Sequence, residues 1–333
     1  MSDTLGAAVI GLGMMGERHA RLWTELPRTR LVSVYDIVPE RAEQVAAAHG
    51  CLAASSLAEA VGATGVDIVS VCTDDQAHLE PCLAAAAAGR HILVEKPLAT
   101  TVAECDQIIA ACDSAGVKLM TGHTCRFDPR YVACRDAVPA GEVGEAVQIF
   151  ARRNNITASG RRIGPRTSVA YFLGVHEIDL MSWIAGERIT RVYSEASSKV
   201  LADIPAEDTI LTLVRIEGGA VGAIETCWVI PEGSPNSLDA RLEVVGTQGR
   251  VAARVGGEPF EAASDTRASR PDIVYWTKMH GRVHGALHDQ LEHFADCVLD
   301  GVAPAVTPAE ARHAVQVAEA IHRSLESGAP VDL

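Results

Sequence analysis

"AAVIGLGMMGERHARLW", residues 7–23, is the most informative stretch of the N-terminal part of the chain. Its short apolar run predicts a strand, the glycine pattern G-x-G-x-x-G follows directly, and a helical pattern comes after it. Gly11 permits a tight turn, Gly13 lets a pyrophosphate approach the backbone, and Gly16 lets the helix pack on the strand. The free N–H groups at the helix N-terminus then face the phosphates. The stretch therefore predicts the start of a dinucleotide-binding domain.

A second strand-like run, "RLVSVYD", ends in Asp36, twenty residues after Gly16. This is the spacing of an acid that binds the ribose hydroxyls, and its charge would repel a 2′-phosphate. The pair of features therefore predicts NAD as cofactor, with NADP open as an alternative. Met14 and Met15 in the glycine pattern and Ile37 after the acid are further candidate cofactor contacts. The alternative is a structural glycine turn and an unrelated surface aspartate.

Strands and helices continue to alternate through residue 123. The run 66–73 is a continuous apolar strand of the kind that is buried on both faces, and "HILVEKP" and "VKLMTGH" are further strands. Such alternation predicts a doubly wound parallel sheet, the α/β class. Ligands of these sheets bind at the carboxyl ends of the strands, which is where Thr73, Lys96 and His123 lie.

Length, charge and cysteine usage limit the classes of function that we expect for this chain. A chain of 333 residues suggests two domains, and we place them at 1–122 and 123–333, leaving open whether the last helix, 308–327, packs between them. The net charge of −14 argues against nucleic acid and anionic membrane as partners. The sequence shows neither a membrane-length apolar run nor a signal peptide at its start, and its nine cysteines form no C-x-x-C pair. We expect a cytoplasmic protein with reduced cysteines and no metal site.

The second half reads as several consecutive strands without intervening helices, which predicts a large, mostly antiparallel sheet. Glu217-Gly218-Gly219 is the signal of a hairpin between two of these strands. The exception is a helix over "SVAYFLGVHEIDLMSWIAG", residues 168–186, whose apolar residues nearly surround it. It carries His176 and Asp179 three residues apart, on one face. A histidine there is either a buried structural group or an acid/base residue.

Five stretches together resemble the Gfo/Idh/MocA family, the glucose–fructose oxidoreductase and inositol 2-dehydrogenase relatives, over nearly the whole chain. They are "GLGMMG" (11–16), residues 71–99 with "VEKPLA", "TGHTCRFDPRY" (121–131), "GVHEIDLMSWIAG" (174–186) and "ARHAVQVAEAIHRSLESG" (311–328). The resemblance implies a Rossmann domain followed by an α/β domain whose antiparallel sheet builds a homodimer or homotetramer. It also implies hydride transfer between a nicotinamide cofactor and a secondary alcohol of a sugar, cyclitol or sugar derivative.

The resemblance assigns roles to individual residues. Lys96 is the catalytic lysine, His176 the catalytic acid/base, and Asp179 a substrate-hydroxyl ligand. Thr73, Asp75 and His78 lie near the nicotinamide, and Glu95, Lys96 and His123 complete the candidate cofactor contacts. The candidate substrate contacts are Asp179, Arg126, Arg153 and Phe172.

Phe172 is a departure from the family pattern, since many members carry an aspartate four residues before the histidine. The absence of this aspartate puts inositol-type substrates in doubt, while Lys96 and His176 are retained. Two alternatives therefore stay open: a non-catalytic regulator that binds NAD and a sugar, and a lyase- or hydrolase-like enzyme that uses tightly bound NAD transiently.

A cluster of arginines and a series of histidines suggest two further binding sites, with weaker support. Five arginines between Arg152 and Arg166, without an intervening acid, suggest either an anionic substrate or a solvated, salt-bridged segment. His280, His284 and His288 are spaced four apart, as metal ligands on a helix sometimes are. Gly281 and Gly285 weaken such a helix, so we favour a loop that runs into a helix from about Ala286.

Overall fold

The computed structural model describes residues 4–256, 262–264, 267–270 and 272–333, and its contacts divide the chain into two units. The first unit runs through Thr124 and also takes in Lys278–Arg312, and the second comprises Cys125–Thr277 and His313–Leu333. This division differs from the expected boundary at 122/123 because the segment after 277 returns to the first unit.

The elements follow each other in the expected alternation up to Gly122. They are β1 (Leu5–Ile10), α1 (Met14–Glu25), β2 (Thr29–Tyr35), α2 (Pro39–His49), β3 (Leu52–Ala53), α3 (Leu57–Gly62), β4 (Ile68–Val71), α4 (Leu79–Ala87), β5 (His91–Glu95), α5 (Val102–Ala115) and β6 (Leu119–Gly122). Short 3₁₀ turns lie at Asp75–Ala77 and Thr124–Phe127.

The rest of the chain is richer in strands. The elements are α6 (Pro129–Ala137), β7 (Ala146–Ile156), α7 (Thr157–Ile163), a π-helical turn (Ala170–Gly174), α8 (Val175–Ala185), β8 (Ile189–Ser197), β9 (Thr209–Ile216), β10 (Val221–Ile230), β11 (Leu238–Gly246), β12 (Arg250–Val255), β13 (Ala262–Ser264), β14 (Arg267–Ser269), β15 (Thr277–Met279), β16 (Arg282–His284), α9 (Ala286–Asp300), α10 (Pro308–Ser327) and β17 (Val331–Asp332).

The sheet of the first unit has the order β3-β2-β1-β4-β5-β6, and every pair in it is parallel. All residues of β1 and β4 are buried, as expected for strands that helices cover on both faces. The order reverses between β1 and β4, and this switch point is where doubly wound sheets bind their ligands. The predicted Rossmann architecture is confirmed.

Helix α9 belongs to the first unit because its side chains bond to that unit. Thr124 Oγ1 donates to Gln290 Oε1 over 2.8 Å, and Arg28 pairs with Asp296 at 2.7 Å. The helix begins at Ala286, as predicted, after Gly285 in a backbone conformation with φ +101° that favours glycine.

The sheet of the second unit has the order β12-β11-β7-β10-β9-β8-β17. Its pairs are antiparallel except β7 with β10, which run parallel. Burial alternates strictly along β9, so one face is packed and the other is open. The predicted hairpin joins β9 to β10, with Gly219 at φ +97°. Helix α8 contacts β7 and α6 within this unit.

Candidate active site

The glycine loop between β1 and α1 has the geometry expected for a dinucleotide. Gly11 has φ +84°, and a Cβ there would lie 2.7 Å from the backbone nitrogen of Thr73. A Cβ on Gly16 would lie 1.9 Å from the Gly11 carbonyl oxygen, so the helix could not pack this closely with any other residue. A Cβ on Gly13 would meet no protein atom within 4 Å. Gly13 therefore borders open space, which fits the approach of a pyrophosphate.

Asp36 at the end of β2 is bound to the same loop. Its Oδ2 accepts the backbone N–H of Leu12 over 2.7 Å, and its Oδ1 accepts that of Val38 over 2.9 Å. Arg41 Nη1 lies 3.8 Å from the carboxylate. The acid is thus held next to the glycine loop, in the position from which it can bind ribose hydroxyls.

Two apolar side chains are exposed around this acid and loop. Met14 at the start of α1 is 53 % exposed, and Ile37 directly after Asp36 is 86 % exposed. Exposed large apolar groups at the carboxyl edge of a parallel sheet fit the flanks of an adenine ring. The residues present therefore fit NAD.

Glu95, the last residue of β5, ends a buried polar network that starts in α1. Its Oε1 lies 3.1 Å from His19 Nε2, while His19 Nδ1 lies 3.2 Å from Ser70 Oγ. Trp23 Nε1 donates to the same Ser70 hydroxyl over 2.8 Å. Burial raises the pKa of Glu95, but the hydrogen bond and charge of His19, with the charge of Lys96, outweigh it and hold the pKa below its usual value. The carboxylate before the lysine is therefore ionised and fixed.

His78 joins the carboxyl ends of β4 and β5, just beside Lys96. Its Nδ1 lies 2.8 Å from the carbonyl oxygen of Pro97, and its Nε2 lies 3.2 Å from that of Thr73. Burial lowers the pKa of His78, although the hydrogen bonds to both carbonyls and the charges of Asp75 and Glu95 act in the other direction. The Lys96–Pro97 peptide bond is cis. This histidine positions the turn that carries the lysine.

The remaining candidate cofactor contacts of the first unit follow β4 and β6, at the carboxyl ends of these strands. Thr73 Oγ1 donates to the carbonyl oxygen of Ala77 over 3.0 Å, and Asp75 Oδ1 accepts the backbone N–H of Gln76 over 3.1 Å. His123 directly follows β6 and is buried. These contacts shape the loops at the carboxyl edge of the sheet.

In the second unit, His176 differs from its neighbours on α8. Residues 175–181 are buried except His176, which is partly exposed. A partly exposed imidazole on an otherwise buried helix agrees with the acid/base interpretation of His176. The same exposure is also compatible with a structural histidine, so the role of His176 stays a prediction.

Asp179 and Arg126 form a buried bidentate ion pair in the second unit. Arg126 Nη2 donates to Asp179 Oδ1 over 2.7 Å and its Nε to Oδ2 over 2.9 Å, with side-chain exposures of 2 % and 1 %. The Arg126 guanidinium also lies 5.4 Å from the Trp183 ring centroid. Both residues were candidate substrate contacts, and this geometry makes each the other's ligand.

Arg153 pairs with Glu177, which the sequence did not single out. Arg153 Nε donates to Glu177 Oε2 over 2.5 Å, and both side chains are buried. Burial raises the pKa of Glu177 to about 7, against the lowering effect of Arg153. Glu177 Oε1 has no hydrogen-bond partner among the described residues. Arg153 is thus tied to α8 at the residue that follows His176.

Phe172 lies in the π-helical turn that precedes α8. Its ring centroid is 6.2 Å from that of Trp228 on β10. The neighbouring Tyr171 stacks on His322 at 5.4 Å. Position 172 is therefore half-buried and part of an aromatic layer, where many family members carry a carboxylate.

The arginines between 152 and 166 do not converge on one site. Because side chains alternate along a strand, Arg152 and Arg153 on β7 point to opposite faces of the sheet. Arg152 pairs with Asp239 at 3.3 Å, while Arg161 pairs with Asp203 at 2.9 Å on the surface. A cavity of about 280 Å³ beside Arg152 is lined by Asp239, Arg241 and Arg254, among others. The anion-site hypothesis is not supported for the cluster as a whole, because Arg152, Arg153 and Arg161 are held by three separate acids.

The three spaced histidines do not share a helix. His280 lies between β15 and β16 with φ +50°, His284 ends β16, and His288 belongs to α9. Among the described residues, one group of potential metal ligands is His288, Asp289 and Glu292, with ligand atoms within 4.8 Å of one another. Its acids are exposed, and His288 already lies 3.0 Å from Asp289.

Within the ranges given above, no helix is long and apolar enough to cross a bilayer.

Four residues with contacts in these networks were not predicted from the sequence: His19, Ser70, Cys125 and Glu177. The signal for His19 was available, because it stands in the first helix on the face that also buries Ala20 and Trp23. The others become meaningful only through contacts with residues far away in the sequence.

The loop, the acid at the end of β2 and the parallel sheet define an NAD-binding Rossmann domain. Residues 5–123 match the family model described as oxidoreductase family, NAD-binding Rossmann fold, and residues 135–333 match the one described as oxidoreductase family, C-terminal alpha/beta domain. The chain belongs to the Gfo/Idh/MocA oxidoreductase family.

Several relatives that match over nearly the whole of both chains are named as dehydrogenases. The chain is 30 % identical to scyllo-inositol 2-dehydrogenase (NAD(+)) of Bacillus subtilis over 100 % of this chain and 97 % of the relative. It is 30 % identical to inositol 2-dehydrogenase 1 of Saccharopolyspora erythraea over 99 % of this chain and 96 % of that protein. Among solved structures, GenD2 from gentamicin A biosynthesis in complex with NAD matches with a TM-score of 0.88 and 28 % identity, over 100 % of this chain and 97 % of that one.

Proposed function

We propose that this protein is an NAD-dependent dehydrogenase that transfers hydride between nicotinamide and a secondary alcohol of a cyclitol or a pyranose-like sugar derivative. The observation that carries the proposal is the retained pair of Lys96, presented at the carboxyl end of β5, and His176, partly exposed on a buried helix. The full-length similarity to inositol dehydrogenases supports the substrate class.

The two residues have complementary roles in the proposed oxidation. Bound NAD supplies the hydride acceptor for the carbinol carbon. Lys96 donates a hydrogen bond to the substrate oxygen and stabilises the negative charge that grows there as the C–H bond breaks. His176 takes the hydroxyl proton as the C=O bond forms, and returns it in the reverse direction. Glu95 and His78 hold the turn on which Lys96 is presented.

Phe172 restricts the range of substrates that we expect within this class. A carboxylate at this position would bind a substrate hydroxyl, whereas an aromatic ring favours a C–H face. We propose that the preferred substrate lacks a hydroxyl at the ring position nearest to Phe172 or presents it in the opposite orientation. A deoxycyclitol derivative fits this description better than an inositol does.

The first test is formation of NADH, followed by its absorbance, with the purified protein and a panel of substrates. The panel contains inositols, aminocyclitols, free pyranoses, sugar acids and nucleotide sugars, each with NAD and NADP. Lys96→Ala and His176→Ala should each lower kcat by at least about 10²-fold, the usual scale for acid–base and oxyanion groups. Lys118→Ala is the matched control, because Lys118 lies at the opposite strand end and its Nζ donates to the carbonyl oxygen of Val302. Full activity of either active-site variant would overturn its assigned role.

A non-catalytic regulator is the second candidate, and the loss of the carboxylate at position 172 is the observation that favours it. Tight NAD binding without turnover of any panel member would support the regulator. Product formation without net NADH would instead identify a lyase-like reaction with transient use of NAD.

We also propose a homodimer or homotetramer built through the open face of the second unit's sheet. On that face Leu211 and Leu213 of β9 and Val221 of β10 are between 48 % and 61 % exposed. Leu213 pairs in register with Tyr193 on one side and Ala223 on the other, so the apolar surface is continuous across three strands. Leu213→Lys should reduce the molar mass in solution measured by light scattering; an unchanged mass would exclude this face.

A cytoplasmic, reducing location is proposed on the cysteines. All nine are free thiols, and most are buried. Titration in denaturant of protein that was isolated and unfolded without reductant should find nine thiols; a lower number would contradict the proposal.

A further inference from the structure

The imidazole of His176 has a sulfur partner. Cys125 Sγ lies 3.6 Å from His176 Nδ1. In a neutral imidazole, the bond that one ring nitrogen makes determines which nitrogen carries the proton. A partner on Nδ1 therefore decides whether Nε2 is free to accept a proton from a substrate.

Cys125 is itself held in place by its surroundings. Arg153 Nη2 donates to its sulfur over 3.4 Å and to the Tyr131 hydroxyl over 3.3 Å. The Tyr275 hydroxyl lies 3.6 Å from the same sulfur. The cysteine is buried, with an exposure of 2 %. These contacts fix the sulfur at one position beside the histidine ring.

The thiol is neutral at physiological pH. Burial raises the pKa of Cys125 to about 11, although the positive charge of Arg153 acts in the other direction. A neutral sulfur is a weak hydrogen-bond acceptor, whereas a carboxylate raises the basicity of an imidazole. The titratable groups that act on this sulfur are Arg153 of β7, Glu177 of α8, Tyr275, and Asp128 at the start of α6.

We propose that Cys125 is the positioning residue for His176, in place of the carboxylate that Phe172 has displaced. The sulfur of the neutral thiol accepts a hydrogen bond from Nδ1–H, which places the lone pair of the neutral ring on Nε2, and it keeps the imidazole less basic than a carboxylate partner would. This inference rests on the proposed function, because it assigns the means by which that acid/base residue is oriented.

The test compares substitutions at Cys125 with the same substitutions at Cys134, a buried cysteine of α6 in the same unit. Cys125→Ala should lower kcat about tenfold with KM nearly unchanged, which corresponds to the loss of one orienting contact worth about 1.4 kcal/mol. Cys125→Ser should restore most of the activity, because the hydroxyl also accepts a hydrogen bond. Cys134→Ala and Cys134→Ser should leave kcat unchanged.

A second measurement does not depend on turnover. Cys125→Asp should raise the pKa of the His176 ring by about one unit, because a nearby opposite charge favours the imidazolium. The pKa is followed through the histidine ring signals in NMR spectra of the ligand-free protein, assigned by their loss in His176→Ala. The acid limb of the kcat/KM profile for alcohol oxidation should move to higher pH by the same amount.

The outcomes separate the two proposals. Full activity of His176→Ala overturns the acid/base role and with it this inference. Loss of activity in His176→Ala, together with Cys125→Ala that matches Cys134→Ala in kcat and an unchanged ring pKa in Cys125→Asp, overturns only the role of Cys125. Far-UV circular dichroism and NAD binding identify any variant that is unfolded, and Cys125→Ser, the mildest change, then decides through its kcat and ring pKa.

Discussion

Substitution of Asp179 by Asn distinguishes a structural ion pair from a substrate ligand. The Arg126–Asp179 pair makes two charge-assisted hydrogen bonds of 2.7 and 2.9 Å with both side chains at most 2 % exposed. Asp179→Asn leaves the Arg126 charge buried without a counter-charge. Removal of one partner from a buried pair costs about 3–5 kcal/mol, so the free energy of unfolding should fall by about that amount.

The control for this prediction is the exposed pair of Arg161 and Asp203. It has a similar distance, 2.9 Å, but side-chain exposures of 49 % and 63 %. Asp203→Asn should therefore cost no more than about 1 kcal/mol. The double variant Arg126→Met with Asp179→Leu should recover most of the loss, because apolar replacement of both partners removes the uncompensated charge.

Urea unfolding followed by far-UV circular dichroism measures these differences. The opposite result would be an Asp179→Asn variant that unfolds like Asp203→Asn while its KM for the substrate rises strongly; it would contradict a structural role for the ion pair. That result would show that Asp179 binds the substrate, as the family resemblance implied.

Three further expectations follow from the first unit and from α8. Gly13→Ala should fold normally, since its Cβ would meet no protein atom, but it should bind NAD more weakly, because the Cβ would occupy the space into which the pyrophosphate comes. Gly16→Ala should destabilise the fold, because its Cβ would lie 1.9 Å from a carbonyl oxygen. Calorimetric NAD titration measures the first effect and thermal melts measure the second. Asp36→Ser should raise KM for NAD and lower KM for NADP, measured by initial rates with each cofactor, because the repulsive charge is removed; equal KM changes for both would contradict this. Glu177, with its pKa raised by burial from 4.5 to about 7, binds its proton more tightly in the folded state, so its contribution to stability is complete below pH 4.5 and is lost as pH rises through 7. Melting temperatures of Glu177→Gln should therefore fall less over that interval than those of the wild type.

Much of the fold is readable from local patterns. The glycine spacing, the acid twenty residues later and the strand–helix alternation each depend on residues close together in the chain, and the parallel sheet follows from them. The start of α9 at Ala286 and the β9–β10 hairpin are local signals too, set by glycine and turn chemistry. The return of 278–312 to the first unit could not be read locally, because it depends on pairs such as Thr124 with Gln290.

The candidate site divides in the same way. Local patterns predict that Lys96 follows a buried strand and that His176 lies on a buried helix, and the resemblance assigned their roles. The ion pairs of Arg126 with Asp179 and of Arg153 with Glu177 become visible only in the folded chain. The tertiary structure alone placed Cys125 against the histidine ring, 51 residues away along the chain. The physical reason is that periodicity and turn chemistry are properties of neighbouring residues, whereas the partner of a buried polar group depends on which distant strands and helices the packed core brings within hydrogen-bond distance.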